Sequence, residues 1–430
     1  RAIGMKTCEY AEELCTDALN ETKMGNVNDK MSKLKGIVFG QWAICKGQNT
    51  VDYEDSPLEP GIKILYKPMG VIGCVMPSTN PVATIIGNAM MALKGRNSVI
   101  IAPHPMSVRL SVKMVKLLRE ALESVGAPAD LIQCISEEYA SREATNLMMS
   151  TCDACISTGG AGRVKAAYSS GKPAFGVGQG NVQEIVDLGI SDAELERQAT
   201  LCVAHRAKDN GVPCAGAQTV HIHAQQLEQW KGYMQEHGAF LIDKDEDIAA
   251  LRALVFPDGG TKLNRAVVGK FPYQVGEMCG LNIPETAKIM LVKNQAWGEA
   301  EVLCREILFP IVRYTVYEKF EDAVDRAVAN LEVEGAGHTS TLWTTNDDHV
   351  EYAAKRIPVG RFHINQPTMG GRIPIITSIT IGTWGGNSVS ENLTFRHLLN
   401  KTRVTREISG TQPWYCTDWD NFEKFNPLAE

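Results

Sequence analysis

The sequence predicts an α/β protein with doubly wound parallel sheets. Two observations indicate this class: several short stretches are continuously apolar, and helical stretches separate them along most of the chain. Strands that are apolar on both faces are typical of parallel sheets covered by helices. Because the chain has 430 residues, of which 44% are hydrophobic, we expect more than one domain.

The first part of the chain combines helices, a β arm and an alternation of strands and helices. One or two helices are predicted over residues 5–40. Short segments broken by proline and glycine follow over 41–69, which is typical of a hairpin-like arm at an edge or an interface. The predicted strands after Gly70 lie at 71–76, 98–102, 131–135 and 154–157, and the predicted helices at 82–93, 107–125, 141–149 and 163–169.

A second α/β unit is expected after a helix at 193–205. Its segments are predicted at 219–223, 248–254, 286–292, 311–317 and 340–344, with helices at 225–236 and 320–331. A helical segment at 393–400 and a polar, aromatic-bearing tail close the chain. We therefore divide the chain into three parts, which are 1–205, 206–386 and 387–430.

Composition argues against several functional classes. The net charge of −7 without a run of lysine or arginine argues against nucleic acid. The longest apolar stretches are too short to cross a membrane.

The chain has twelve cysteines, whose spacing does not match that of a disulfide-stabilised framework. They indicate a reducing compartment such as the cytoplasm. The CxxC pair Cys152 and Cys155 stands without a second pair, so no metal site is predicted. The chain begins at Arg1 within a helical pattern, so an N-terminal portion is expected to be missing.

Cys214 lies in the most informative stretch. The turn-forming residues 209–211 precede it, and Gly216 and a β-branched segment follow it, so we expect a constrained loop outside helices and strands. A loop presents a nucleophile well. A small, inert, buried residue is the alternative, and the local sequence alone favours that alternative.

Two glycine-rich segments are candidates for binding a dinucleotide. The segment 176–181 lacks the last glycine of the Rossmann fingerprint and no helix is predicted after it, so we reject that match. The segment 158–162 follows a predicted strand and opens a predicted helix. There a pyrophosphate could approach the free N–H groups of the helix, although a tight structural turn is the alternative.

Six ordered blocks carry a resemblance to a known family. These blocks are 77–81, 94–105, 158–168, 209–214, 334–339 and 384–392. They are similar to the CoA-acylating aldehyde dehydrogenases, especially the succinate-semialdehyde and sulfoacetaldehyde dehydrogenases and the aldehyde dehydrogenase half of bifunctional aldehyde/alcohol dehydrogenases. The similarity runs from near Ala11 to about Val404.

The resemblance implies an aldehyde dehydrogenase fold. Residues 1–205 then form a Rossmann-like domain that binds the dinucleotide, with the arm 41–69 serving oligomerisation. Residues 206–386 form the catalytic domain that carries the thiol, and 387–430 form a return segment and tail. A homodimer or homotetramer, in the cytoplasm or inside a bacterial microcompartment, is implied as well.

The resemblance also implies roles for three catalytic residues. Cys214 matches the nucleophile that adds to an aldehyde carbonyl. Asn80 matches the asparagine that stabilises the oxyanion together with the backbone N–H of Cys214, although an Asn-Pro turn is the alternative. His338 matches a histidine that, with a pKa near neutrality, could deprotonate coenzyme A or Cys214. A packed histidine is the alternative there.

Coenzyme A is the expected acyl acceptor. In hydrolytic aldehyde dehydrogenases a glutamate activates water at the position that aligns near Gly176, and this chain has no carboxylate there. Without that base water competes poorly with a thiol. Hydride transfer to NAD(P)⁺ is implied, with the choice between NAD and NADP left open. The implied cofactor-binding residues are Thr158, Gly159, Gly160, Gly162, Gly178, His104 and Glu306.

The aldehyde pocket departs from the family. The loops 365–374 and 380–384 are shorter than in the relatives. Arg206 and Arg372 could bind a carboxylate or sulfonate, or could be structural or surface arginines. We favour sulfoacetaldehyde or succinate semialdehyde over acetaldehyde and propionaldehyde.

Two other functions compete with this hypothesis. The protein could be a hydrolytic aldehyde dehydrogenase, or a catalytically silent scaffold or microcompartment cargo protein.

Overall fold

The computed structural model describes residues 1–57, 61–370 and 378–406. The predicted tail and Arg372 lie outside the described residues. The first part of the chain consists of α1 (Ala2–Glu9), α2 (Ala11–Thr22), α3 (Val27–Cys45), β1 (Tyr53–Asp55), β2 (Ile62–Pro68), β3 (Val71–Val75), α4 (Pro81–Lys94), β4 (Ser98–Ala102), α5 (Val108–Glu123), β5 (Ile132–Cys134), α6 (Arg142–Thr151), β6 (Ala154–Thr158), α7 (Ala161–Tyr168) and β7 (Ala174–Val177).

The second part continues the alternation of strands and helices. It consists of β8 (Val182–Val186), α8 (Asp192–Ala207), β9 (Ala217–His223), α9 (Leu227–Glu236), β10 (Ala239–Ile242), α10 (Asp245–Val255), α11 (Pro272–Cys279), β11 (Ile289–Lys293), β12 (Ile311–Tyr317), α12 (Phe320–Val333), β13 (Gly337–Trp343), α13 (Asp347–Arg356) and β14 (Val359–Ile364), and β15 (Leu399–Thr405) follows.

The first sheet is parallel and doubly wound, as predicted. Its strand order is β5-β4-β3-β6-β7, and β3 pairs in parallel with both β4 and β6. The chain therefore proceeds from the middle strand first to one edge and then to the other. Ligands bind such sheets at the carboxyl ends of the strands where the order reverses, which here are the ends of β3, β4 and β6.

The second sheet contains seven parallel strands in the order β10-β11-β12-β9-β8-β13-β14. By sheet membership the second unit begins at β8, before the predicted boundary at residue 205, because β8 pairs with β9 and β13. The residues between β7 and β8 connect the carboxyl edge of the first sheet to the amino edge of the second. The segment predicted at 248–254 belongs to the helix α10.

A third, antiparallel sheet corresponds to the predicted arm. Its order is β1-β2-β15, and β15 pairs along β2 from Leu399 opposite Pro68 to Thr405 opposite Ile62. The predicted helix at 393–400 is therefore wrong: Phe395–Leu398 form only a short 3₁₀ helix, and from Leu399 the chain pairs with β2 as a strand. Helix α3 also continues to Cys45, so the arm starts later than residue 41.

The return of the chain to the first unit is visible in the core. Leu393, Phe395 and Leu398 are buried in the same hydrophobic cluster as the strands β3 and β4 and the helices α4 and α5. Burial of such side chains is the main favourable contribution to folding.

Among the described residues, no helix is long and apolar enough to cross a membrane.

Candidate active site

The loop that carries Cys214 has an unusual backbone. Cys214 lies in a turn between the short 3₁₀ segment Lys208–Gly211 and β9, which confirms the predicted loop. Asp209, Asn210 and Gly211 have φ angles of 49°, 50° and 70°. Left-handed backbone costs a residue with a Cβ atom about 1–2 kcal/mol, so other contacts must hold this loop.

Buried polar contacts fasten the loop to α3. The carboxylate of Asp209 accepts hydrogen bonds from the Nζ atoms of Lys30 and Lys33 over 3.2 and 2.6 Å. Asn210 donates from Nδ2 to the carbonyl oxygen of Gly269 over 3.0 Å. Asp209 is fully buried, so its pairing with two lysines is little screened by solvent. The contacts therefore fix the position of the turn that holds Cys214.

A cavity of about 1580 Å³ brings most of the predicted site residues together. Three of them follow neighbouring strands of the first sheet: Asn80 after β3, His104 after β4, and Thr158 at the end of β6. Of the predicted residues, those that line the cavity are Asn80, His104, Thr158, Gly159, Gly160, Gly162, Gly178, Cys214 and Glu306. His338 and Arg206 do not line it.

Asn80 presents a free amide to this cavity. It is the residue before α4, but its side chain makes no capping hydrogen bond to the helix. Pro81 occupies the first helical position, where the missing N–H costs nothing. The half-buried side chain is therefore available to a ligand in the cavity.

Burial and neighbouring charges of both signs determine the pKa of the Cys214 thiol. Loss of hydration raises the pKa of its thiol to about 11, and the neighbouring Glu306 carboxylate acts in the same direction. The cations Arg361 and Lys33 act in the opposite direction, Arg361 the more strongly. Both cations line the cavity. At neutral pH the thiol is mostly protonated, so its reaction as a thiolate depends on these cations or on a base.

Glu306 belongs to a carboxylate network near Cys214. Its Oε1 atom accepts a hydrogen bond from the N–H of Gly180 over 2.9 Å, and its own N–H donates to Oε2 of Glu334 over 2.7 Å. Gln179 donates to the other oxygen of Glu334 over 3.0 Å. Burial raises the pKa of Glu306 to about 8, and the Glu334 carboxylate contributes to the rise. Glu306 is thus mostly protonated at neutral pH.

His338 lies at the start of β13 and does not line the cavity. It is fully buried, its Nδ1 atom is 3.0 Å from Oγ1 of Thr339, and its Nε2 atom has no hydrogen-bond partner among the described residues. Burial lowers the pKa of His338 well below its ordinary value, and the charge of Arg361 acts in the same direction. The expectation of a pKa near neutrality is therefore wrong, and the imidazole is neutral at physiological pH.

The turn after β6 lies at the edge of the cavity. Helix α7 begins at Ala161, directly after Gly160, and Gly159, Gly160 and Gly162 line the cavity at this amino end. The Oγ1 atom of Thr158 is buried and has no hydrogen-bond partner within the described part of the chain. Helix amino ends and unsatisfied hydroxyl groups suit phosphate and ribose oxygens.

His104 lines the cavity near two arginines, Arg163 and Arg265. Its Nδ1 atom accepts a hydrogen bond from the N–H of Met106 over 3.1 Å. Burial lowers the pKa of His104 to about 4, and the nearby Arg163 and Arg265 add to this effect. Both arginines line the cavity. This part of the cavity is suited to a phosphate-bearing ligand.

Gly176 lies in β7 with no room for a side chain. A Cβ atom there would lie 2.1 Å from Oδ1 of Asn387 and 2.5 Å from a methyl carbon of Val164. Gly176 does not line the cavity. A carboxylate at this position would therefore displace its neighbours before it could reach a ligand.

Arg206 has a structural position, and its predicted role in binding substrate is corrected. The side chain is fully buried in α8. Its Nε atom donates to the carbonyl oxygen of Ile311 over 2.9 Å, and Nη2 donates to those of Ile307 and Phe309. These bonds hold the segment before β12 and leave the guanidinium no route to the cavity.

Comparison with known proteins identifies the family. The sequence profile of the aldehyde dehydrogenase family matches residues 34–245. A succinate-semialdehyde dehydrogenase (acetylating) from Clostridium kluyveri is 38% identical over 410 residues, which are 94% of this chain and 89% of that protein. A sulfoacetaldehyde dehydrogenase (acylating) from Bilophila wadsworthia is 31% identical over 435 residues, which are 99% and 92% of the two chains.

The chain belongs to the acylating aldehyde dehydrogenases.

The fold of this acylating aldehyde dehydrogenase agrees with solved relatives. A propionaldehyde dehydrogenase from Rhodopseudomonas palustris, solved with bound propionyl-CoA, is 26% identical and has a TM-score of 0.81, covering 94% of this chain and 88% of that chain. The predicted family and the predicted aldehyde dehydrogenase fold are confirmed, and the structure gives this fold two parallel sheets and an antiparallel arm.

Two cations that act on Cys214 of this aldehyde dehydrogenase were not predicted from the sequence. Arg361 reaches the cavity because β14 lies beside β13 at the edge of the second sheet. Lys33 reaches it from α3 of the first unit. An arginine in a strand and a lysine in a helix carry no local signal of function, so only the tertiary structure could single them out.

Proposed function

We propose that this enzyme reversibly oxidises a short anionic aldehyde to its acyl-CoA, with NAD(P)⁺ as the hydride acceptor. The observation that carries the proposal is the closed surrounding of Gly176, which excludes a water-activating carboxylate from the position that hydrolytic relatives use. An acyl group on Cys214 then needs another acceptor. The thiol of coenzyme A is that acceptor in acylating aldehyde dehydrogenases.

The proposed reaction begins at Cys214. Its thiolate adds to the aldehyde carbonyl to form a thiohemiacetal. The amide of Asn80 and the backbone N–H of Cys214 are the proposed donors to the resulting oxyanion. Loss of one such donor typically costs about 100- to 1,000-fold in rate. Attack of the CoA thiolate on the later acyl-cysteine releases acyl-CoA and regenerates the Cys214 thiolate.

The cavity suits the dinucleotide that this reaction requires. The residues that would hold it are Thr158, Gly159, Gly160, Gly162, Gly178 and His104, with Glu306 at the ribose of the nicotinamide. The unpartnered hydroxyl of Thr158 and the amino end of α7 support this assignment. When bound, NAD(P)⁺ supplies the acceptor for the hydride of the thiohemiacetal.

An anionic aldehyde is supported by charge and by the relatives. Arg361 and Lys33 place positive charge next to Cys214 within the cavity. The similar proteins from C. kluyveri and B. wadsworthia are named for succinate semialdehyde and sulfoacetaldehyde. We therefore propose one of these two aldehydes as substrate. Arg372 remains a predicted binding residue for its anionic group.

A CoA-dependence assay tests the proposal. Purified enzyme is mixed with NAD⁺ or NADP⁺ and each of four aldehydes: succinate semialdehyde, sulfoacetaldehyde, propionaldehyde and acetaldehyde. We expect NAD(P)H formation only when CoA is present, and a higher kcat/KM for the anionic pair. NAD(P)H formation that proceeds equally without CoA would show a hydrolytic enzyme. Absence of any activity sensitive to iodoacetamide would favour the silent scaffold.

We also propose that the protein forms a homodimer or homotetramer through the arm sheet β1-β2-β15. The strand β1 has only three residues and forms an outer edge of that sheet, where a neighbouring chain could add a strand. The cytoplasm, or a microcompartment within it, remains the proposed location. Light scattering of the purified protein measures the oligomeric state directly.

A further inference from the structure

We propose that Arg361, held in place by Thr339, is a positioning residue that stabilises the ionised form of Cys214 and keeps the proton of His338 on Nε2. The inference rests on the proposed role of Cys214 as the nucleophile. It concerns two residues, Arg361 and Thr339, whose roles the sequence did not indicate.

The geometry of two neighbouring strands orients Arg361. Thr339 in β13 is the register partner of Arg361 in β14. The Nε atom of Arg361 donates to Oγ1 of Thr339 over 2.9 Å, and Nη2 donates to the same oxygen. Nη1 has no hydrogen-bond partner among the described residues. The guanidinium is therefore anchored on one side while the residue lines the cavity.

Arg361 carries a positive charge that no neighbouring carboxylate offsets. Within the described parts of the chain, no Asp or Glu forms an ion pair with it, whereas Lys33 is bound to Asp209 over 2.6 Å. The charged groups that act on Cys214 come from three elements: Glu306 before β12, Lys33 in α3 and Arg361 in β14. A partly desolvated cation without a counterion is stabilised by an anion within a few ångströms. Cys214 lines the same cavity as Arg361, and the charge of Arg361 acts on its thiol.

The same contacts determine the tautomer of His338. A hydroxyl group has one hydrogen and two lone pairs. Because both guanidinium nitrogens must donate, the lone pairs of Thr339 Oγ1 accept from Arg361, and its hydrogen points to Nδ1 of His338, 3.0 Å away. Neutral His338 then carries its proton on Nε2, the buried atom without a partner. His338 is thus prepared to donate a hydrogen bond and not to accept a proton.

The pH dependence of Cys214 alkylation tests the role of Arg361. In this reaction the sulfur forms a bond to the carbon of iodoacetamide, iodide leaves with the electrons of the broken C–I bond, and the thiol proton passes to buffer. Mass spectrometry of the Cys214 peptide reports the rate at each pH. Half-buried Cys8 in α1 serves as the internal reference. We expect Arg361→Met to raise the midpoint by about one pH unit or more.

Conservative variants separate charge from packing. Arg361→Lys keeps the charge, so its midpoint should lie nearer to the wild type than that of Arg361→Met. Thr339→Val removes the anchor while every charge remains, and we expect an upward shift smaller than that of Arg361→Met. It also provides the decisive measurement if Arg361→Met unfolds. Lys270→Gln removes another charge that lines the cavity but is not among those that act on Cys214, and it should leave the midpoint unchanged.

Two outcomes would overturn the inference: a midpoint in folded Arg361→Met equal to that of the wild type, or an unchanged midpoint in Thr339→Val. Alkylation requires neither aldehyde nor coenzyme A. NAD(P)H formation without CoA would therefore contradict the proposed function while the shifts in alkylation still supported the role of Arg361.

Discussion

Gly180 faces the carbonyl group of Cys214 at very close range. A Cβ atom at position 180 would lie 2.2 Å from the carbonyl oxygen of Cys214 and 3.3 Å from its Cβ atom. The N–H of Gly180 also donates to Glu306 over 2.9 Å. The connection between the two sheets therefore packs against the loop that holds Cys214, and only a residue without a side chain fits there.

Gly180→Ala should consequently displace the nucleophile. The obstructing atom belongs to the backbone, so the Cys214 loop itself has to move. A displacement of about 1 Å in an active site can cost on the order of 100-fold in rate, and we expect a loss of kcat of that order in the CoA-dependent assay. Gly232→Ala in α9 is the matched control, because a Cβ atom there meets nothing within 4 Å. Equal activity of both variants would contradict this prediction.

Asp209→Asn should destabilise the fold. The change leaves the buried Lys30 and the partly buried Lys33 without their shared anion, while their Nζ atoms lie 3.1 and 2.6 Å from the Asp209 carboxylate in the wild type. Removing one partner of a buried ion pair typically costs about 3–5 kcal/mol of unfolding free energy. Urea unfolding measures the loss. As a control, Asp325→Asn breaks an exposed ion pair with Arg356 and should leave the urea midpoint almost unchanged. A similar decrease of the unfolding free energy in both variants would argue against the anchoring role of Asp209.

The pH dependence of stability should report on Glu306. Burial raises its pKa from the ordinary 4.5 to about 8, so the folded state binds more protons than the unfolded state between these values. The contribution of this group to stability is complete below 4.5 and is lost as the pH rises toward 8. The expected slope is at most about 1.4 kcal/mol per pH unit for one proton.

Urea unfolding of Glu306→Gln between pH 5 and pH 8 measures this contribution. The variant should lose less unfolding free energy than the wild type as the pH rises across that interval. Glutamine keeps an oxygen that can accept from Gly180, which limits other changes. Exposed Glu138→Gln is the control and should follow the wild-type curve. Parallel curves for all three proteins would show that Glu306 is already ionised.

Substitutions of His338 should distinguish a hydrogen-bond donor from a base. The amide nitrogen of glutamine can replace an N–H at Nε2, but glutamine cannot accept a proton at neutral pH. If His338 donates from Nε2, His338→Gln should retain at least about tenfold more CoA-dependent activity than His338→Ala, since one charge-assisted hydrogen bond contributes about 1.5–3 kcal/mol. Equal losses in the two variants would instead favour the base that the family resemblance implied.

Much of the fold could be predicted from local patterns. The predicted strands at 98–102 and 311–317 coincide with β4 and β12, because a continuous apolar run between turns is typical of a strand buried on both faces. The segment at 393–400 was wrong for the opposite reason. Its last two residues, Leu399 and Asn400, begin β15 only because β2 lies beside them, and no local pattern reports a partner so distant in the chain.

The residues of the candidate site fall into the same two groups: some stand in local sequence motifs, and others depend on the tertiary structure. Cys214, Asn80 and the glycine-rich turn at 158–162 stand in short motifs, so the sequence alone determined which residues to examine and that Gly176 carries no carboxylate. Tertiary structure alone decided that Arg206 is buried against backbone carbonyl groups and that the charge of Arg361 acts on Cys214. The physical reason is that a side chain's burial and its charged neighbours depend on elements far away in the chain, whereas a turn or a missing side chain is a local property.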